Sequence, residues 1–209
     1  MKKLLFILLL TFLSESVKSQ SYQTKEVIEK AESYLKLAVG DELSKYFQLD
    51  PNSYYEYKTR LGRKNWRSIN KGSKTKGNFV NGKNIRFTLK HPEFPYPTTV
   101  TVPLTSDLSL ESKINLERIP DFLLDGRESD WLSVGQIDSI INKQNLKVAK
   151  EKPRKYLEYY IKEKKYYWAV INTLKEEKCS SDVEILNINP KSGEILKHSE
   201  ETLFVLHCY

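Results

Sequence analysis

One order of patterns occurs twice in this chain: an apolar stripe at helical spacing, followed by short runs that alternate apolar with polar. In residues 24–39, Val27, Ile28, Ala31, Tyr34, Leu35 and Ala38 fall on one helical face. Thr24 is a candidate cap, Glu26 lies in the first turn, and Gly40 is placed to end the helix. Strand-like runs follow at 54–61, at Ile85, Phe87 and Leu89, and at Val100, Val102 and Leu104. Asn81-Gly82 reads as a two-residue hairpin turn. Residues 62–78, polar and basic with glycine, and 91–97, with three prolines, read as loops. The order then repeats. Ser133 and Gln136 have the spacing of a capping box, and Ile137, Ile140 and Ile141 carry a second helical stripe. Runs at 156–161, 166–174, 183–189 and 203–208 then read as strands, with a turn at 190–193 between the last two. Each helix and each sheet has one apolar face to bury, which predicts an α+β fold with a helix packed on an antiparallel sheet in each half. The expected division is 20–105 for the first unit, 106–131 as a connecting segment, and 132–209 for the second.

The first residues point to an address. Lys2 and Lys3 precede an apolar run from Leu4 to Leu13, too short for the roughly 20 residues of a membrane span. Val17 and Ser19 suit a cleavage site, so residues 1–19 read as a secretory signal peptide. The mature chain is expected to be exported, periplasmic or secreted, and not membrane-spanning.

Export bears on the two cysteines, Cys179 and Cys208. An even pair in an oxidising compartment reads as one disulfide, with a pair of buried thiols as the alternative. A bridge closing so short a loop would contribute roughly 3–4 kcal/mol. If the 190–193 turn makes a hairpin, residue 183 lies opposite 201, and the chain then runs back toward Cys179.

The formal charge of the whole chain is +7, and of the chain from residue 20 it is +5. Residues 58–90 hold eleven Lys or Arg and no Asp or Glu, so the rest nets −6. The sequence therefore concentrates its cations on one segment of an otherwise acidic body.

The C-terminal third, about 131–198, resembles the PepSY domain, a small exported α+β module. The likeness rests on the capped helix, then Tyr166-Tyr167-Trp168-Ala169-Val170, then the run Val183 to Ile195. In the family the second strand ends in an Asp-x-x-x-Gly turn; here Asn189 stands where Asp is usual, and Gly193 supplies the glycine. The resemblance implies two tandem PepSY-like or cystatin-like units, with residues 24–104 as a divergent copy. It also implies a non-catalytic role: a peptidase-restraining or protein-interaction module whose partner is an envelope protein or peptidase. It offers no catalytic residue.

Little in the sequence points to catalysis. His91, His198 and His207 are in no metal-ligand spacing, and no nucleophile elbow or phosphate-binding glycine loop occurs, so no cofactor, metal or catalytic set is expected. An unrecognised hydrolase stays open through carboxylates such as Asp121, Asp125, Glu128 and Asp130. The candidate ligand-binding residues are Arg60, Arg63, Lys64, Trp66, Arg67 and Lys71. Cations around an exposed aromatic suit an acidic glycan, an anionic lipid headgroup or an acidic protein face. Nucleic acid is not expected, because the chain reads as exported. The alternative is a solvated basic loop with Trp66 packed beneath it.

Overall fold

The computed structural model describes residues 20–205, so the signal segment, His207 and Cys208 lie outside the described residues. The chain is a mixed α+β protein with two antiparallel sheets, and it divides into two compact units. The first comprises 20–91 and 97–115; the second comprises 92–96 and residues from 116 onward. The boundary between the units falls within 106–131, after residue 115.

The first unit opens with α1 (Thr24–Val39), which buries Val27, Ala31, Leu35 and Val39 at a spacing of four. Its N-cap is Gln23 rather than Thr24, whose hydroxyl instead donates to the Gly72 carbonyl at 2.9 Å. A short α2 (Asp41–Ser44) precedes β1 (Phe47–Leu49), β2 (Tyr54–Lys58), β3 (Lys64–Ser68), β4 (Asn78–His91) and β5 (Phe94–Val102), of which residues 94–96 are grouped with the second unit. The sheet order is β1-β4-β2-β3, with β5 also paired to β4. Ile85, Phe87 and Leu89 point into the core with Tyr55, Phe79, Val100 and Val102, while Arg86, Thr88 and Lys90 face outward.

Three expectations fail here, each for a physical reason. Asn81-Gly82 is not a hairpin turn; it lies inside the 14-residue β4. The register between β2 and β4 shifts on either side of Glu56, which marks a bulge, and the pair sits at that irregularity. Gly82 donates its N–H to the Leu104 carbonyl at 2.9 Å, and a Cβ there would lie 3.3 Å from that of Leu104. Residues 62–78 are not wholly loop, because Lys64–Ser68 pair with Tyr54–Lys58. Nor is 91–97 a loop: β5 begins at Phe94, and Pro95 and Pro97 point outward from a strand that pairs only with β4 among the described strands. An edge strand tolerates the missing N–H groups.

The second unit contains α3 (Asp121–Leu124), α4 (Val134–Lys143) and a meander of β6 (Arg154–Tyr160), β7 (Lys165–Glu176), β8 (Ser180–Ile188) and β9 (Ile195–Phe204). The capping box at α4 forms as its spacing predicts: Gln136 N–H donates to the Ser133 hydroxyl, and the Gln136 side chain accepts from Ser133 N–H. Ile137 and Ile141 of α4 are buried, as are Trp168, Val170, Leu186 and Ile188 on one face of the sheet. An ion pair between Asp138 of α4 and Lys155 of β6 marks the same face. Val183 pairs with Glu201, as the hairpin reading requires. β9 runs from Ile195 to Phe204, so the residues of the 203–208 run that are described belong to a longer strand whose exposed N-terminal part lacks the apolar alternation that flags a strand. Between β8 and β9, Asn189 Oδ1 accepts from the N–H groups of Lys191 and Ser192 at 2.9 and 3.3 Å. Gly193 follows at φ 74°, so close beneath α4 that a Cβ would lie 2.5 Å from Ile140 Cδ1.

Within the described residues, no helix is long and apolar enough to cross a membrane.

Candidate functional site

The predicted cationic segment divides into two electrostatically different parts. Of its eleven cations, Lys83 is paired with Glu111, Arg86 with Asp50 and Lys64 with Glu56. The other eight make no ion pair among the described residues. Seven of those eight (Lys58, Arg60, Arg63, Arg67, Lys71, Lys74 and Lys76) lie on the β2–β3 hairpin and the turns that follow it. The site is therefore a hairpin with its positive charge largely uncompensated.

Local structure fixes the tip. Thr59 N–H donates to the Arg63 carbonyl at 2.9 Å, Gly62 N–H to the Thr59 carbonyl at 2.9 Å, and Arg63 N–H to the Thr59 hydroxyl at 3.2 Å. Arg60 and Arg63 are thereby presented, exposed, at the two ends of one tight turn. At its base a cleft of about 430 Å³ is lined by Lys58, Arg60, Thr75 and Asn78 among others. Cross-strand partners share a sheet face, so Lys58, Lys64, Trp66 and Glu56 lie on one side, and Arg67 lies with Tyr55 on the other. Trp66 is 51 % exposed and meets the Tyr54 ring edge-on at 5.3 Å. It stands on a strand as a half-exposed aromatic, not beneath a loop.

The six candidate residues do not form one surface. Arg60, Arg63, Lys64 and Trp66 share the tip and one face of the hairpin. Arg67 is on the opposite face, where its guanidinium approaches Gly72, and Lys71 sits in the next turn. Lys64 also has a structural task. Glu56 is buried, and the Lys64 ammonium 2.9 Å from its Oε1 holds its carboxyl below the usual range, helped by Asn81 Nδ2 donating to Oε2 at 3.0 Å. Lys58, missed among the candidates, belongs to the site; the signal was its place at the start of the acid-free run.

The carboxylates considered for acid–base chemistry are dispersed. Asp125 is held by Arg127 Nε and Nη2 at 3.0 and 2.9 Å, and Glu128 is exposed. Asp121 and Asp130 both line a cleft in the second unit, with Asp130 2.7 Å from Lys191. Among the described residues no group of three or more His, Cys, Asp or Glu is placed to hold a metal ion.

That second cleft, of about 410 Å³, was not foreseen. Its wall is a continuous aromatic cluster: Trp131 is 5.5 Å from Phe122 and 5.3 Å from Tyr166, which is 4.9 Å from Tyr159. Tyr160 and Tyr167 line it too, 6.4 Å apart. Burial, reinforced by its bond to Glu158, pushes the Tyr167 phenol up to about 12, so its hydroxyl stays neutral. These tyrosines gather here because the β6–β7 hairpin and the 117–131 segment meet, a non-local event. Compared with known protein families, curated proteins and solved structures, the chain matches none of them.

Proposed function

We propose that this chain is an exported, non-catalytic binding module that holds an anionic surface, an acidic glycan or anionic lipid headgroups, through the β2–β3 hairpin. The observation that carries the reading is the concentration of unpaired cations there, beside a half-exposed tryptophan, while strand β4 of the same unit pairs its Lys83 and Arg86 with acids. Uncompensated cations attract anions over roughly a Debye length, about 8–10 Å at physiological salt, and the hydrogen-bonded turn at Thr59–Arg63 holds Arg60 and Arg63 at the tip.

The test is the triple variant Lys58→Glu, Arg60→Glu, Arg63→Glu, which spares Lys64 and so leaves Glu56 partnered. Each basic residue near an anionic lipid surface contributes about 1 kcal/mol, so affinity for anionic vesicles is expected to fall ~100-fold or more. A parallel arm on an immobilised acidic polysaccharide distinguishes glycan from lipid as the source. Unchanged binding in both arms would sink the reading.

A second reading, a tandem PepSY-like or cystatin-like module that restrains a peptidase or binds an envelope protein, follows from the resemblance. It is favoured by the turn at 189–193, where Asn189 caps backbone N–H groups and Gly193 takes positive φ, as an Asp-x-x-x-Gly turn demands. The Cys179–Cys208 disulfide belongs to the same proposal. Val205 N–H donates to the Cys179 carbonyl at 2.9 Å, which brings the chain back beside Cys179 three residues before Cys208. Alkylation of the unfolded protein should label neither cysteine until a reductant is added; labelling without reductant would rule the bridge out.

A further inference from the structure

We infer that the aromatic cleft of the second unit is a binding site for uncharged sugar rings, independent of the cationic hairpin. Its volume, about 410 Å³, falls within the 300–1,000 Å³ usual for small-molecule sites. Its chemistry selects among occupants. Four carboxylates (Glu117, Asp121, Asp130, Glu163) face three ammonium groups (Lys164, Lys165, Lys191), so the lining is nearly balanced in charge. Two of the carboxylates are already matched, Glu117 with Lys164 at 2.6 Å and Asp130 with Lys191 at 2.7 Å. A strongly charged ligand of either sign would meet like charges and gain little from what remains.

What remains is polar and directional. Asp121, Glu163 and Lys165 make no ion pair among the described residues and keep their hydrogen-bonding capacity for a ligand. Tyr160, 40 % exposed, offers ring surface at the rim, and Trp131 and Tyr166 offer more within. An apolar molecule would satisfy the rings but desolvate the carboxylates without replacing their bonds, which costs free energy. A sugar ring serves both: its C–H face lies against an aromatic ring, and its hydroxyls donate to carboxylates and accept from the ammonium. Hydrogen bonds to such charged partners are about twice as strong as neutral ones.

The experiment uses the whole chain from residue 20 and a panel of neutral oligosaccharides of glucose, galactose, mannose and N-acetylglucosamine, read by saturation-transfer NMR and calorimetry. At least one sugar is expected to bind with a Kd in the millimolar range or tighter. Tyr160→Ala and Glu163→Gln, both exposed changes, should each weaken it about ten-fold with thermal unfolding unchanged. The Lys58/Arg60/Arg63 reversal should leave it untouched, which separates this site from the hairpin. No transfer to any sugar at millimolar concentration, binding indifferent to both substitutions, or binding of a proline-rich peptide through Tyr160 in place of sugar would each overturn the inference.

Discussion

Glu184→Ala is expected to destabilise the second unit by about 3 kcal/mol, close to the cost of breaking a buried charge network. Glu184 is 3 % exposed in the middle of the sheet, and its carboxylate joins four segments. Oε2 accepts from Lys147 N–H at 2.9 Å and from Asn172 Nδ2 at 3.0 Å, while Oε1 lies 2.8 Å from His198 Nε2. Asn172 Nδ2 also donates to the Lys147 carbonyl at 2.9 Å. The glutamate thus ties β8 to β7, to β9 and to the segment after α4. Alanine would leave the Lys147 N–H without its carboxylate and remove one of the two acceptors of Asn172. Glu184→Gln, which keeps an acceptor, should cost less.

The same group sets a pH dependence. Burial pushes the Glu184 carboxyl up, but the bonds from His198, Asn172 and Lys147 together outweigh it and hold it below its ordinary value. A depressed folded pKa means that this contribution is complete above the unfolded pKa, about 4.3, and is lost as pH falls through the folded value. Denaturant unfolding from pH 7 to pH 3, followed by hydrogen exchange of the β7 and β8 amides, checks both points. The variant should lack the wild-type loss in the acid window. A cost below about 1 kcal/mol at pH 7 would show the network to be unimportant.

Gly77→Ala is the second large effect, expected at about 3 kcal/mol in the first unit. Gly77 has φ 64°, and a Cβ would fall 2.4 Å from the Lys58 carbonyl oxygen and 2.9 Å from Tyr57 Cδ2. The left-handed backbone alone costs a non-glycine residue about 1–2 kcal/mol. The remainder arises because the clash is with backbone, which no rotamer change relieves; β2 and β4 must separate where Lys58 pairs with Asn78. Gly62→Ala, also at positive φ but with nothing within 4 Å of the added carbon, isolates the conformational share and should cost about 1 kcal/mol. Thermal unfolding of the two variants measures the difference; equal losses would refute the steric account. Since Gly77 sits at the base of the hairpin, its alanine variant should also weaken anion binding.

Both units use a buried glutamate that accepts from an asparagine on a neighbouring strand, Glu56 with Asn81 and Glu184 with Asn172. Neither pairing is visible in the sequence, where the partners are 25 and 12 residues apart. Register decides them, and a slip of one residue would put either glutamate on the other face.

Local rules carried the rest. Helix 24–39, the capping box at Ser133 and Gln136, the inward alternation of Ile85, Phe87 and Leu89, and the Asn189–Gly193 turn all follow from interactions within a few residues, so they were legible in advance. So was the cationic segment, because charge is a property of composition. The sequence could not separate the paired cations of β4 from the unpaired ones of the hairpin, since their acids, Asp50 and Glu111, lie far along the chain. It misread Asn81-Gly82 because a turn dipeptide also fits a bulge, and the neighbour that decides between them is Leu104. It did not foresee the aromatic cleft because packing, not periodicity, brings Trp131, Tyr159 and Tyr166 together. The amino-acid order by itself determined the two longer helices, the inward alternation of β4 and where the charge lies. Only the tertiary structure decided which cations are paired with acids and which stay unpaired, because that depends on distances between residues that no local pattern records.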